Sequence, residues 1–198
     1  MSVDVVDEKK RRFLVASTSV MGAVGAGFVA VPFLSSWSPS ERAKNAGAPV
    51  EVNISALEEG RLMVVEWQSK PVWIVKRSAK TLSDLETLTD SLRDPNSENA
   101  AQQSSYAQNI YRSRKPEISV LVGICTHLGC SPTFRPEIAP ADLGADWLGG
   151  FFCPCHSSKF DMAGRVFQGV PAPTNLSVPP HHYLSENVIL IGNDGGAA

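Results

Sequence analysis

Residues Cys125 to Cys130 read C-T-H-L-G-C, and residues Cys153 to Ser158 read C-P-C-H-S-S. The two runs hold all four cysteines and two of the four histidines of the chain. Each offers a soft thiolate and an imidazole close together, Cys125 with His127 and Cys153 with His156. A chain that uses both pairs on one small site must bring two loops side by side. That requirement constrains the fold more than any other feature. Each loop also carries one surplus cysteine, Cys130 and Cys155. Adjacent loops place a Cys130–Cys155 disulfide within reach, a bond that needs an oxidising compartment.

Two Cys and two His can hold a [2Fe–2S] cluster, with thiolates on one iron and imidazoles on the other. The same donors make a tetrahedral zinc set. Zinc leaves two cysteines unused, and C-x-H paired with C-x-x-H is unusual spacing for a finger. A lone catalytic thiol fits less well, because both loops are cysteine-rich. The chemistry most strongly implied is one-electron transfer.

The N-terminus carries a second constraint. Lys9, Lys10, Arg11 and Arg12 form a basic run, and no charged residue follows from Phe13 to Ser40. About 20 apolar residues span a bilayer, so an anchor over residues 13–37 is expected. Its basic flank, residues 1–12, should stay cytoplasmic and place the rest outside. Gly22, Ala23, Gly25, Ala26, Gly27 and Ala30 permit close helix contacts. The competing reading is a cleaved signal peptide, but the apolar core is long and only residues 43–48 offer a candidate cleavage stretch. Arg11-Arg12-Phe13-Leu14 is similar to a twin-arginine export signal, without the usual spacer before Phe. Such export carries folded proteins, so a cluster inserted in the cytoplasm could cross intact.

The net charge of −2 gives no support for nucleic-acid binding. Residues 38–49, rich in Ser, Ala, Gly, Pro and Asn, read as a flexible hinge. Strands are expected at 50–54, 61–67 and 72–76, with a hairpin turn at Ser69-Lys70-Pro71. Leu85, Leu88 and Leu92 are spaced for a helix over 83–92 with Ser83 as its cap. Residues 91–105 read as an exposed loop. Strands at 118–124 and 150–152 lead into the two cluster loops, and the last strands lie within 178–191. Trp147 is expected to pack. His181 and His182 are expected as surface or strand residues, Lys159 and Arg165 as solvated near the cluster loops, and the residues after Ile191 as a frayed tail.

C-T-H-L-G-C followed by C-P-C-H-x-S resembles the Rieske iron–sulfur subunits of cytochrome bc1 complexes. Gly169 to Leu176, G-V-P-A-P-T-N-L, is similar to that family's proline-rich loop, with Val170 where many members carry Gly. The resemblance spans essentially the whole chain and is most specific from Cys125 to Pro173. It implies an all-β Rieske head domain over 50–192. That head has stacked antiparallel sheets, a small cluster-binding subdomain at about 118–173 and a helical or loop insertion. A single N-terminal transmembrane helix carries it, and residues 193–198 form a tail. It implies one [2Fe–2S] cluster held by Cys125 and Cys153 on the inner iron and by His127 and His156 on the outer. It pairs Cys130 with Cys155, and gives the Ser158 hydroxyl a hydrogen bond to a bridging sulfide. Many members carry a Tyr where this chain has Phe160, so one donor to a ligand sulfur should be absent.

The function so implied is electron transfer from ubiquinol to cytochrome c1, contributing to the proton gradient. His156 is the catalytic residue, taking the quinol proton. Cytochrome b supplies most of the quinone pocket, and the partners form a dimeric complex in the bacterial inner membrane, with the head periplasmic. The alternative is a Rieske subunit of another periplasmic oxidoreductase such as arsenite oxidase. A non-redox zinc-binding envelope protein is the other class. Oxygenase ferredoxins fit poorly, since they generally lack the extra cysteine pair.

Overall fold

A computed structural model describes residues 7–40 and 47–196, in two compact units. The first is a single helix, α1, Glu8–Ser35. Asp7 caps it by accepting the Lys9 and Lys10 backbone N–H groups. The helix therefore begins before the apolar run and carries the basic residues within its first turns. It ends two residues short of the expected anchor, where Ser36 closes it onto Pro32 and Leu34. Its 28 residues extend about 42 Å at 1.5 Å each, ample for a bilayer. None of its side chains is buried by the described residues. Half of the hinge expected at 38–49, residues 41–46, lies outside the described residues.

The second unit is built on three antiparallel three-stranded sheets. The first pairs β1 (Val50–Asn53), β9 (Val188–Ile191) and β8 (His181–Ser185). The second pairs β2 (Leu62–Trp67), β3 (Lys70–Lys76) and β4 (Ile118–Val122). The third pairs β5 (Thr133–Arg135), β6 (Gly150–Cys153) and β7 (Ser158–Asp161).

Alternation along β3 organises the head. Val72 and Ile74 join an aliphatic core with Val52, Ile118, Val120, Ile189 and Ile191. Trp73 and Val75 face the opposite way and join a core that contains Cys125 and Cys153. The second sheet is thus covered on both faces, which is why 72–75 is a continuous apolar run. Trp73 stacks on Phe151 of β6 at 4.8 Å between ring centroids, coupling this sheet to the cluster-side sheet. Gly123, directly after β4, lies against the Trp73 indole where a Cβ would collide.

Several expectations are corrected. The hairpin turns at Gln68 and Ser69, both left-handed, and Lys70 already pairs with Trp67. Pro71 pairs with Glu66 of β2, and its carbonyl accepts from Gly123 N–H just before pairing with β4 begins at Val72. The predicted helix is displaced: α2 is Ala79–Thr87, capped by the Ser78 hydroxyl accepting from Thr81 N–H. Leu85, Leu88 and Leu92 are all buried, but Leu88 is its C-cap and Leu92 lies beyond a short 3-10 turn. Residues 91–105 are the largely exposed stretch expected, although Leu92, Ser97 and Gln103 within it are buried. The tail is held as far as Asp194, whose carbonyl accepts from Arg114 Nη2 at 2.7 Å.

Candidate metal centre

The two cysteine–histidine loops meet at one end of the head. In the first, Cys125 N–H donates to Cys130 O at 2.7 Å and Gly129 N–H to Cys125 O at 3.0 Å. This closes the loop on itself, and Gly129 supplies the left-handed residue it needs. The second is a hairpin whose last strand pair is Cys153 with Ser158, leaving residues 154–157 as the turn. Ser157 takes a positive φ of 60° there. The proline-rich loop covers the site from a third side. Thr174 O accepts from Thr126 Oγ1 at 2.7 Å, and Ala172 N–H donates to Ser158 Oγ at 3.1 Å.

Cys130 and Cys155 are joined as a disulfide between the two loops. Cys125 and Cys153 are free and buried. Cys153 Sγ lies within 4.8 Å of both disulfide sulfurs. Those three sulfurs are close together, yet two are spent in the disulfide, so the trio is not a ligand set. The thiols left to bind metal are Cys125 and Cys153. Burial pushes the Cys125 thiol up, and the adjacent Cys153 thiol adds to that. Hydrogen bonds from the His127 backbone and the Ser158 hydroxyl pull the other way.

His127 and His156 stand edge to face with ring centroids 4.7 Å apart. His156 is exposed and His127 half-buried. His127 Nδ1 is buried with no hydrogen-bond partner, a costly state that a metal ion on that nitrogen would relieve. Two free thiols, two imidazoles and this orphaned nitrogen fit a [2Fe–2S] cluster held half by sulfur and half by nitrogen. The structure thus brings Cys125 together with Cys153 and Ser158, His127 with His156, and Cys130 with Cys155. Ser158 is buried, and Phe160 is wholly buried in the same core as both free cysteines.

Sequence reasoning missed the support behind this tip. Arg165 is fully buried, not solvated, and its Nε donates to Asp161 Oδ2 at 2.7 Å. Asp161 Oδ1 also accepts the Ala163 and Arg165 N–H groups, which folds the turn after β7. Arg165 reaches on to Leu85 O at the end of α2 and to Pro95 O. Arg77 and Arg112, also buried, donate to Met162 O and to the carbonyls of Ala163 and Gly164. Three arginines thereby fasten the 77–113 segment to the turn that carries β7. Only the spacing of Asp161 and Arg165 around Gly164 hinted at it. Lys159 is half-buried and donates to Leu143 O. Trp147 packs as expected, its Nε1 on Arg135 O and its ring stacked with Phe167. His181 opens β8 as a strand residue and is buried, its Nδ1 between Pro179 O and the Tyr106 hydroxyl. Burial pushes its pKa down to about 4.

Residues 89–180 match the family described as the Rieske [2Fe-2S] domain. Residues 1–40 match the ubiquinol–cytochrome c reductase Fe-S subunit twin-arginine signal. The chain is 58% identical over its full length to the ubiquinol-cytochrome c reductase iron-sulfur subunit of Allochromatium vinosum, covering 95% of that protein. It is 38% identical to the subunit of the same name from Blastochloris viridis, over 96% of this chain and 97% of that one. The mitochondrial Rieske subunit of the cytochrome b-c1 complex of Candida albicans is 37% identical over 91% of this chain and 75% of its own length.

Proposed function

Because the chain belongs to the family of ubiquinol–cytochrome c reductase iron–sulfur subunits, we propose that its head takes single electrons from ubiquinol and passes them to cytochrome c1. The observation that carries this reading is the tip itself. Two buried free thiols and two imidazoles converge there, with one imidazole exposed to an incoming partner. When bound, the cluster supplies reversible one-electron acceptance at high potential.

Cys125 and Cys153 would hold the cluster through sulfur, and His127, through its orphaned Nδ1, and His156 would hold it through nitrogen. Both thiols lose their protons on binding. His156 is exposed, and its ring nitrogen left free of metal would receive the proton that leaves the quinol hydroxyl. The Ser158 hydroxyl, close enough to Cys125 to hydrogen-bond it, stabilises negative charge at the sulfurs. The disulfide clips the two loops, and the proline-rich loop keeps water from the third side.

The second quinol electron enters cytochrome b, which supplies most of the quinone pocket, within a dimeric complex. α1 is long and apolar enough to cross a membrane, and with the export signal it marks a membrane-anchored, exported subunit. We assign the basic end to the cytoplasm and the head to the periplasm of a bacterial inner membrane.

Purified with its membrane complex, the chain should carry a Rieske electron paramagnetic resonance signal, together with b- and c-type haem. Replacing Cys125, His127, Cys153 or His156 should abolish that signal. A wild-type spectrum from Cys153→Ala would sink the ligand assignment.

A further inference from the structure

The disulfide and the free thiol of Cys153 are neighbours. Sγ atoms of Cys130, Cys153 and Cys155 lie within 4.8 Å of one another. Cys125, the other free thiol, is not a member of that trio. Thiol–disulfide exchange requires only that a thiolate reach a disulfide sulfur; no outside oxidant or reductant takes part. We propose that Cys153 attacks this disulfide whenever it is not holding iron, so that the cluster acts as the protecting group of its own ligand. The proposal rests on the reading of Cys153 as an iron ligand.

The step balances. The Cys153 thiol gives its proton to solvent and its sulfur bonds to Cys130 Sγ. The Cys130–Cys155 bond breaks, and the leaving Cys155 sulfur takes up a proton. One disulfide and two thiols are present before and after. Attack at Cys130 is favoured over attack at Cys155 for two reasons. Cys153 and Cys155 are separated only by Pro154, whose ring restricts the backbone. Cys155 is exposed, so its sulfur leaves into water, whereas Cys130 is half-buried.

The new bond still joins the two loops, but it consumes one of the two thiol ligands. A chain oxidised before cluster insertion is thereby diverted from it. Iron–sulfur assembly must precede disulfide formation, which is the order imposed when a folded, loaded chain is exported into an oxidising compartment.

The test uses the full chain in detergent, first loaded and then stripped of iron by a chelator under anaerobic conditions. Free thiols are alkylated and the disulfides mapped by mass spectrometry. The loaded chain should show Cys130–Cys155 alone. The stripped chain should lose its free Cys153 thiol, gain a Cys130–Cys153 bond and acquire an alkylated Cys155. In a Cys153→Ser chain, which has no loaded state to strip, Cys130–Cys155 should persist. Two outcomes overturn the proposal. In one, Cys153 remains alkylated after stripping. In the other, Cys125 enters disulfides as often as Cys153, which signals scrambling in an unfolded chain. The spectrum recorded before stripping checks the ligand reading separately. A chain that showed the Rieske signal and then kept its original disulfide defeats the exchange and leaves the ligand assignment standing.

Discussion

On one side of β3 the buried residues are Val, Ile and Leu, nine of them, from β1, β3, β4, β9 and residues 54–57. On the other side, that of the cysteines, Arg77, Arg112, Arg165 and Asp161 are as buried as the apolar residues around them. The first core needs only volume and pattern, and tolerates conservative exchange. The second is held by directional bonds: each arginine donates to backbone carbonyls of turns and segment ends, and Asp161 pairs with Arg165 while its charge also acts on Arg77 and Arg112. Burial pushes Arg77 and Arg112 down to about 10, with Asp161 acting in the opposite sense. Such an arrangement costs desolvation and returns geometry. The geometry is what a cluster site needs, because the turn from Asp161 to Arg165 continues directly from the strand carrying Ser158 and Phe160.

The strongest way to break this contrast is to remove its one buried anion. Asp161→Asn leaves Arg165 without its partner and should destabilise the head by about 3–5 kcal/mol, the usual cost of an orphaned buried charge. Ile74→Val in the aliphatic core should cost about 0.5–1.5 kcal/mol. Urea unfolding followed by cluster absorbance reads both, and equal costs would erase the distinction between the two cores.

The disulfide is the covalent counterpart of those directional bonds. Losing it in a Cys130→Ala, Cys155→Ala double variant should cost roughly 2–5 kcal/mol. Cluster loss should precede loss of far-ultraviolet circular dichroism, because the aliphatic core is untouched. Simultaneous loss of both signals would show that the two sides unfold as one.

His181 probes the boundary, since its β8 also pairs with β9 of the aliphatic core. Tyr106, Arg114, His182 and Tyr183 are the titratable or charged groups around it. Its folded pKa of about 4 lies below the usual 6.5, so the unfolded chain binds a proton that the folded chain refuses. Stability is full above pH 6.5 and falls as pH drops toward 4, by about 3 kcal/mol at most. His181→Gln should flatten that part of the stability–pH curve. An unchanged slope would remove His181 from the account.

The smallest effect sharpens the comparison at the cluster itself. Phe160 packs among the free cysteines without a hydroxyl. Phe160→Tyr places a donor among the sulfurs, and a net hydrogen bond of about 1 kcal/mol corresponds to roughly 40 mV for one electron. The midpoint potential should rise by that order and should fall in Ser158→Ala. Protein-film voltammetry measures both. A Phe160→Tyr potential at or below wild type would mean that the hydroxyl finds no sulfur.

Local pattern and residue chemistry determined much of this protein from sequence alone. The paired Cys/His runs pointed to the candidate ligands, the surplus cysteines to a disulfide between the loops, and the uncharged N-terminal run to the long helix. Strand existence was legible too, because alternation and β-branching act within a few residues. Tertiary structure decided what depends on partners distant in sequence. The start of α2 follows from Ser78 rather than Ser83, since capping depends on which side chain folds back. The short strands β5 and β7 are defined by pairing with β6, not by their own propensity. Whether Arg77, Arg112, Arg165 and His181 stand in water or in the core could not be read from their neighbours in the chain. Their hydrogen-bond partners lie up to about 85 residues away, and a polar side chain is buried only where the fold supplies the acceptors that replace water.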